Sequence, residues 1–222
     1  PTDGIFSARN LQPVIAELPI GDCALAYNGN LVNAFKIRKQ LIQDGAIFST
    51  GTDSETIMHL LAKRLKNEDL ITALSNVMTQ ITGSYSMVFM ADNKLIAMRD
   101  PHGVRPLAMG MMKDGYVFVS ETVALDLIDA HFVREVEPGE MVVVDASGVK
   151  SYFPNGKLEH PAPCVFEHVY FARPDSFMFG QSVYEVRKGF GRMLAKECPV
   201  DADIVIPVPD SGITATIGYS EE

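Results

Sequence analysis

Hydrophobic and polar residues alternate with two different periods along this chain, and the period changes at Ser84. Before that residue, two short apolar stretches predict strands, and apolar positions three and four residues apart then predict three helices. The helices are expected over residues 31–43, from Thr52, and over residues 69–80. After Ser84, alternating apolar residues separated by Asp-Asn, Asp-Gly and Pro-Gly pairs predict a series of short antiparallel strands. Helices followed by many short strands indicate an α+β fold.

The pattern changes again after a segment rich in proline and glycine at residues 153–164, which we interpret as a linker. Beyond it we predict a strand at 167–172, a helix at 181–197, a strand at 203–208 and a helix from Gly212. Alternation of strand and helix predicts a parallel sheet. We therefore expect one domain over residues 1–160 and the beginning of a second over residues 161–222.

Composition and charge exclude several classes of protein. The 222 residues are 47% hydrophobic and 21% charged, which is typical of a globular chain. The net charge of −9 and the absence of a basic cluster argue against nucleic acid as a partner. Apolar runs are only strand-length, so we expect no membrane span or membrane partner. Three scattered cysteines fit a reducing cytoplasm better than a disulfide framework.

The pair Asn28-Gly29 lies between a predicted strand and a predicted helix. One interpretation is a tight hairpin turn, for which Asn-Gly is the strongest short pattern. The other is an oxyanion hole, because a side-chain amide and an unshielded backbone N–H are donors that could face a developing negative charge. These residues alone leave both interpretations open.

A second polar cluster begins at Thr52-Asp53. Its position predicts a capped helix N-terminus with acidic charge near the positive end of the helix dipole. Asp53 could also form a salt bridge with the α-amino group of an amino-acid substrate. For Arg99–Leu107, we expect a tight turn between two strands, stabilised by Arg–Asp pairing.

Two further polar segments lie in the last quarter of the chain. Arg173 and Asp175 form either a local salt-bridged turn or a contact with a phosphate or a partner domain. Asp210-Ser211 follows a predicted strand and precedes a predicted helix, where backbone N–H groups favour a phosphate. An ordinary strand–helix loop is the alternative, and the sequence lacks the P-loop pattern.

Taken together, these motifs resemble the amidophosphoribosyltransferase family of class II glutamine amidotransferases, over essentially the whole chain. The Asn-Gly-Asn and Arg-Asp-Pro elements are typical of class II amidotransferases in general, whereas residues 170–176 and 209–211 are specific to this family. The resemblance implies an N-terminal-nucleophile (Ntn) hydrolase fold, a four-layer αββα sandwich, over roughly residues 1–160. It implies the start of an α/β phosphoribosyltransferase domain after that.

The resemblance also implies a reaction and the residues that serve it. Such enzymes hydrolyse glutamine and transfer the ammonia to phosphoribosyl pyrophosphate, giving 5-phosphoribosylamine in the first step of de novo purine biosynthesis. By motif match, the Asn28 side chain and the Gly29 N–H would form the oxyanion hole. Asp53 would hold the α-amino group of glutamine, and Thr2 would lie in the glutamine pocket. Ser211 would lie in the pyrophosphate loop, close to Mg²⁺, and a homo-oligomer is expected by the same analogy.

Cys164 resembles the position at which some family members provide the first cysteine of a [4Fe–4S] cluster. Such a cluster takes four thiolates. Cys23 and Cys198 do not fall at matching positions, so the remaining ligands would lie beyond Glu222. A buried structural thiol and a cluster ligand are therefore the two interpretations of Cys164.

The chain also departs from the family pattern. The N-terminal cysteine nucleophile is absent, because the chain starts at Pro1 and Cys23 lies inside a predicted strand. The arginine expected before Pro1 and the paired aspartates of the second domain are absent as well. The chain therefore resembles a middle segment of the enzyme, which we expect to be inactive by itself. The alternatives are another class II amidotransferase, such as glucosamine-6-phosphate synthase or asparagine synthetase, and a non-catalytic regulatory module with the same fold.

Overall fold

A six-stranded antiparallel sheet organises the first part of the chain in the computed structural model, which describes residues 10–113 and 115–222. The strands are β1 (Val14–Leu18), β2 (Gly21–Leu31), β3 (Gly83–Ala91), β4 (Lys94–Arg99), β5 (Ala108–Met112), β6 (Gly115–Val119), β7 (His131–Glu135), β8 (Met141–Asp145), β9 (Gly148–Tyr152), β10 (Phe177–Met178) and β11 (Gln181–Ser182). The order in the six-stranded sheet is β1-β2-β3-β4-β8-β9, and a second sheet has the order β6-β5-β7. The helices are α1 (Ala34–Gln43), α2 (Asp53–Arg64), α3 (Leu70–Gln80), α4 (Val123–Leu127), α5 (Val183–Glu197) and α6 (Gly212–Glu221).

The chain divides into two compact units and passes between them more than once. The first unit extends to Leu107 and includes Val136–Ala162; the second comprises Ala108–Glu135 and Pro163–Glu222. The sequence predicted a single boundary near residue 160. Ala108–Glu135 falls in the second unit because its strands pair only with one another and its Glu121-Thr122 loop is hydrogen-bonded to residues 173–177. The assignment of each domain to a function stays a prediction.

The first unit is held together by a core between the sheet and the helices α2 and α3. Buried apolar side chains recur at helical spacing in both helices and at alternate positions in β2, as their sequence periods predicted. Both helices are capped, α2 as expected: the Thr52 side chain accepts from the Glu55 amide, and Asp69 accepts from the amides of Ile71 and Thr72. The largest buried side chains of this core include Tyr85, Phe89, Leu61 and Met78.

In the second unit, α5 and α6 pack backbone to backbone through two glycines. A Cβ atom on Gly191 would stand 1.8 Å from the Ala215 carbonyl oxygen, and one on Gly218 would stand 2.0 Å from that of Lys188. Any larger residue would force the helices apart. The hairpin β10–β11 precedes α5, which begins after the cap Ser182, whose hydroxyl accepts from Glu185.

Of the two interpretations of Asn28-Gly29, the hairpin turn is excluded, because both residues lie within the continuous strand β2 and pair with β3. Two predictions about local structure were wrong. Residues 167–172 do not form a strand: Glu167–Phe171 is a single helical turn of π type. Residues 203–208 form no strand either, because no described segment pairs with them, and Ile204, Ile206 and Val208 are exposed. The parallel sheet predicted after the linker is therefore not formed by the described residues.

Among residues 10–113 and 115–222, no helix is long and apolar enough to cross a membrane.

Candidate active site

The site predicted at Asn28-Gly29 lies on strand β2, and pairing with β3 fixes which way its backbone points. Gly29 is opposite Tyr85 in the antiparallel register. The Tyr85 carbonyl accepts from the Asp100 amide at 2.8 Å, and the Tyr85 amide donates to the Asp100 carboxylate at 3.2 Å. Both polar groups of Tyr85 thus face β4. In an antiparallel ladder, Gly29 must then be a non-hydrogen-bonded partner of Tyr85, with its N–H directed away from β3.

Along the opposite edge of β2, the backbone N–H of every second residue points away from β3. The Tyr27 amide donates to the Gln12 side chain, and the Leu31 amide donates to Asp53 Oδ2 at 2.8 Å. Gly29 lies between them, so strand alternation directs its N–H to the same edge. β1 pairs with β2 only as far as Leu25. Within the described chain, no strand covers the Gly29 N–H, and it remains available to a ligand.

Asn28 is the residue whose side-chain amide the sequence predicted as the second donor. The residue is exposed, and its neighbours along β2 on the same face, Ala26 and Asn30, are exposed as well. In the part of the chain that the structure describes, the side-chain amide of Asn28 makes no hydrogen bond to protein. Gly29 itself is required by close packing, since a Cβ atom there would stand 2.1 Å from the Ser84 carbonyl oxygen. Asn28 and Gly29 therefore present one side-chain and one backbone donor at adjacent positions.

Asp53 is brought to this edge by the start of helix α2. The loop before it is fixed by Glu55, whose carboxylate accepts from the Ser49 amide, the Thr50 amide and the Thr50 hydroxyl at 2.7–2.8 Å. Asp53 Oδ2 accepts from the Leu31 amide at 2.8 Å and from the Tyr27 hydroxyl at 3.3 Å. Asp53 Oδ1 has no hydrogen-bond partner among the described residues. Asp53 is thus bonded to Tyr27 and Leu31, the residues two positions before and after Gly29 on β2.

Two tyrosine hydroxyls, those of Tyr27 beside Asp53 and Tyr85 on β3, stay protonated because of their surroundings. Burial, together with the charge of Asp53, raises the pKa of Tyr27 far above its ordinary value. Burial also raises the pKa of Tyr85, and the charge of Asp100 acts in the same direction. Tyr27 is therefore a hydrogen-bond donor to Asp53. No role was assigned to either tyrosine from the sequence, although Tyr27 directly precedes the Asn28-Gly29 pair.

The tight turn predicted for Arg99–Leu107 follows β4, and the bonds of Arg99 and Asp100 described here run to backbone groups, so the predicted Arg–Asp pairing is not what they show. Asp100 is fully buried and accepts from the amides of Tyr85, His102 and Val104. Arg99 is almost fully buried and donates to the carbonyl oxygens of Gly103, Arg105 and Val136. These bonds hold the turn through backbone atoms, and His102 is exposed at its tip.

In the second unit, the two C-terminal motifs meet at one cleft. The cleft has a volume of about 620 Å³ and is lined by residues 170–174, Arg187 and residues 209–211. Ser211 precedes the first residue of α6 but makes no capping bond with its side chain. Arg173 and Asp175 form an exposed bidentate pair at 2.9–3.0 Å, so the local salt-bridged turn is present.

Two groups that the sequence did not reveal hold the residues around this cleft: the buried Arg187 and the half-buried Glu121. Arg187, 3% exposed, donates to the carbonyl oxygens of His168 and Ala172, and desolvation lowers its pKa. Glu121 accepts from the Arg173 amide and the Ser176 hydroxyl, both at 2.8 Å. These bonds close the turn from which the Arg173 side chain extends.

The cysteines do not supply a nucleophile or a metal site in the described residues. Cys23 is 2% exposed within β2, and burial raises the pKa of its thiol, so a reactive thiolate is disfavoured. Cys164 is half-buried rather than buried, and Cys198 is exposed; all three are unpaired. Residues 10–113 and 115–222 contain no group of three or more His, Cys, Asp or Glu that could hold a metal ion. Thr2 lies outside the described residues.

Comparison with known proteins identifies the family. Residues 4–127 match the model of the glutamine amidotransferase domain. The chain belongs to the glutamine amidotransferase family. The expected α+β Ntn-hydrolase class and the resemblance to amidophosphoribosyltransferases are both confirmed by the relatives and solved structures described next.

The chain is 48% identical over 222 residues to amidophosphoribosyltransferase 2, chloroplastic, of Arabidopsis thaliana, covering 99% of this chain and 39% of that one. It is 45% identical over 225 residues to the amidophosphoribosyltransferase of Rhizobium etli, covering 100% of this chain and 45% of that one. The B. subtilis glutamine phosphoribosylpyrophosphate amidotransferase complexed with ADP and GMP superposes with a TM-score of 0.93 at 42% identity, over 98% of this chain and 48% of that one. The chain therefore spans less than half the length of these relatives.

Proposed function

We propose that the chain is part of an amidophosphoribosyltransferase, which hydrolyses glutamine and transfers the ammonia to phosphoribosyl pyrophosphate to give 5-phosphoribosylamine, the first step of de novo purine biosynthesis. The observation that carries the proposal is the open edge of β2. The Gly29 N–H points to this edge, and the Asp53 carboxylate is bonded to it two residues further on, at the Leu31 amide. Similarity to amidophosphoribosyltransferases continues through the second unit, which disfavours other class II amidotransferases.

In this proposal the Gly29 N–H and the Asn28 amide stabilise the oxyanion that forms when the glutamine carboxamide is attacked. Donors fixed in advance on a strand cost no reorganisation when the charge develops. Asp53 binds the α-amino group through Oδ1, since Oδ2 already accepts two hydrogen bonds. Thr2 is proposed as a residue of the glutamine pocket. Cys23 is not the nucleophile, because its thiol is buried in β2.

The cleft of the second unit is proposed as the place where phosphoribosyl pyrophosphate binds. The ten-residue helix α6 begins directly after Asp210 and Ser211, and the positive end of its dipole would favour a pyrophosphate there. Its first two amides, those of Gly212 and Ile213, already donate to the carbonyl oxygens of Val208 and Asp210. Mg²⁺ is usually held by one or two carboxylates together with substrate phosphates. Asp210 and Ser211 fit that role only in part, since the described residues build no metal site by themselves.

The remaining expectations stay predictions. A [4Fe–4S] cluster needs four thiolates, and the described residues offer Cys164 alone at a matching position, so they do not build the cluster site. A homo-oligomer and a cytoplasmic location are likewise proposed from the resemblance and from the unpaired cysteines.

The test uses the complete gene product that contains this chain. Asn28→Ala is expected to lower kcat for glutamine hydrolysis by about 10²–10³, the loss typical of one oxyanion-hole donor, with little change in KM. Synthesis of phosphoribosylamine from free ammonia should be retained, because it does not require the glutaminase site. Asn67→Ala, at an exposed position after α2, serves as the control. A gene product without glutaminase activity would instead favour the regulatory module, and unchanged kcat in Asn28→Ala would refute the oxyanion role.

A further inference from the structure

The Tyr27 hydroxyl lies against the carboxylate that the proposed function assigns to substrate binding. Tyr27 Oη is 3.3 Å from Asp53 Oδ2, and the same oxygen accepts from the Leu31 amide at 2.8 Å. Tyr27 and Leu31 are both on β2, two strand positions to either side of Gly29. One carboxylate oxygen of Asp53 is therefore held from two points on a single strand.

Two donors to one oxygen restrict the rotation of a carboxylate more than one donor does. The Leu31 amide alone fixes the position of Oδ2 but leaves the plane of the carboxylate free to turn about it. The Tyr27 hydroxyl adds a second direction, which determines where Oδ1 points. Oδ1 makes no hydrogen bond within the described part of the chain. An ion pair with an ammonium group gains specificity when the acceptor is oriented before the ligand arrives.

The surroundings keep Tyr27 in the form that can donate. Its ring is half-buried, and the hydroxyl is protonated at neutral pH because both burial and the Asp53 charge oppose ionisation. Tyr27 is itself anchored, since its amide and carbonyl are both bonded to the Gln12 side chain. The hydroxyl is thus attached to a fixed backbone position rather than to a mobile loop.

We infer that Tyr27 is a positioning residue for amino-acid recognition: it orients the Asp53 carboxylate so that Oδ1 meets the α-ammonium group of glutamine. The inference rests on the proposed function, since it deepens the role given there to Asp53. Tyr27 touches no reacting atom in this arrangement. Its removal should weaken recognition of the ammonium group and leave the chemistry of the carboxamide unchanged.

The experiment compares two substrates in the complete gene product. One is glutamine, and the other is 4-carbamoylbutanoate, which is glutamine without its α-amino group. For each variant, kcat/KM for glutamine is divided by kcat/KM for the analogue. A loss of folded protein lowers both values equally and cancels in the ratio. The variants are Tyr27→Phe, Asp53→Asn and, as a control for loss of a hydroxyl, Tyr152→Phe in strand β9 of the same sheet.

Tyr27→Phe is expected to lower the ratio about five- to tenfold, which is the size of effect expected for one hydrogen bond to a partly exposed charged group. The change should come from a higher KM for glutamine at unchanged kcat. Tyr152→Phe should leave the ratio unchanged. If Asp53→Asn lowers the ratio and Tyr27→Phe does not, the positioning role is refuted while the proposed function stands. If Asp53→Asn leaves the ratio at the wild-type value, the role of Asp53 fails and the inference fails with it.

Discussion

Replacing Asp100 tests whether the turn behind the candidate site is what fixes strand β3. Asp100 is 0% exposed, and its carboxylate accepts the backbone amides of Tyr85 at 3.2 Å, His102 at 2.9 Å and Val104 at 3.0 Å. Asp100→Ala leaves all three amides without this acceptor. Asp100→Asn keeps one acceptor oxygen and removes the charge.

The magnitude follows from these three bonds. An amide that loses its acceptor in a buried place costs about 1–3 kcal/mol, and the exposed position of His102 puts its share at the lower end. We therefore expect Asp100→Ala to lower the free energy of unfolding by about 3–5 kcal/mol. At about 2–4 °C per kcal/mol for a chain of this length, the melting temperature should fall by about 6–20 °C. Asp100→Asn should lie between this variant and the wild type.

Urea unfolding followed by far-UV circular dichroism is the suitable assay, because the chain has no tryptophan to report by fluorescence. The matched control is Asp145→Ala, which removes an Asp that accepts from the Ser147 amide and hydroxyl in an exposed turn. Hydrogen exchange gives a second measurement, since the Tyr85 and Val104 amides should lose protection in Asp100→Ala. Equal urea midpoints for Asp100→Ala and Asp145→Ala would show that the buried carboxylate is not what holds the turn.

Two further predictions concern helix packing and acid stability. Gly191→Ala should lower the free energy of unfolding by about 2 kcal/mol, because its Cβ would stand 1.8 Å from the Ala215 carbonyl oxygen. The control Gly189→Ala meets nothing within 4 Å and should stabilise α5 by about 0.5–1 kcal/mol. Equal melting temperatures of the two variants would contradict the close packing. Burial acts to raise the pKa of Glu55, but its hydrogen bonds outweigh burial and hold the pKa below the ordinary value. Its contribution to stability is thus present above about pH 4.3 and is lost as the pH falls through the lower folded pKa. The unfolding free energies of wild type and Glu55→Gln should therefore converge as the pH falls from about 7 to 3; a difference between them that is the same at both pH values would contradict this role of Glu55.

Local patterns predicted much of the first unit because its elements are decided by near neighbours. Helix α2 begins at the capping residue Thr52 and buries the apolar face that its spacing indicated. Gly45 follows α1 with a φ of +93°, the left-handed conformation expected of a glycine that ends a helix. Asp53 was also identified from its position at a helix start. These features depend on residues only a few positions apart in the chain.

Other features depended on partners far away in sequence. Asn28-Gly29 suits a two-residue hairpin, but eleven residues from Gly21 to Leu31 form one strand because β3 supplies a continuous partner for it. Residues 203–208 have the composition of a strand and form none in the described chain, because a strand exists only where another segment accepts its hydrogen bonds. The assignment of Ala108–Glu135 to the second unit likewise depends on bonds from Glu121 to residues more than fifty positions away.

The sequence by itself determined the α+β class, the capped helices and the residue types of the candidate site, since propensity, capping and alternation are local properties. Only the tertiary structure decided what those residues do together. The register of β2 against β3 directs the Gly29 N–H to the open edge, and the start of α2 brings Asp53 to that same edge. Tyr27 gains its place beside Asp53 from the same register, because strand pairing determines which face and which edge each residue occupies.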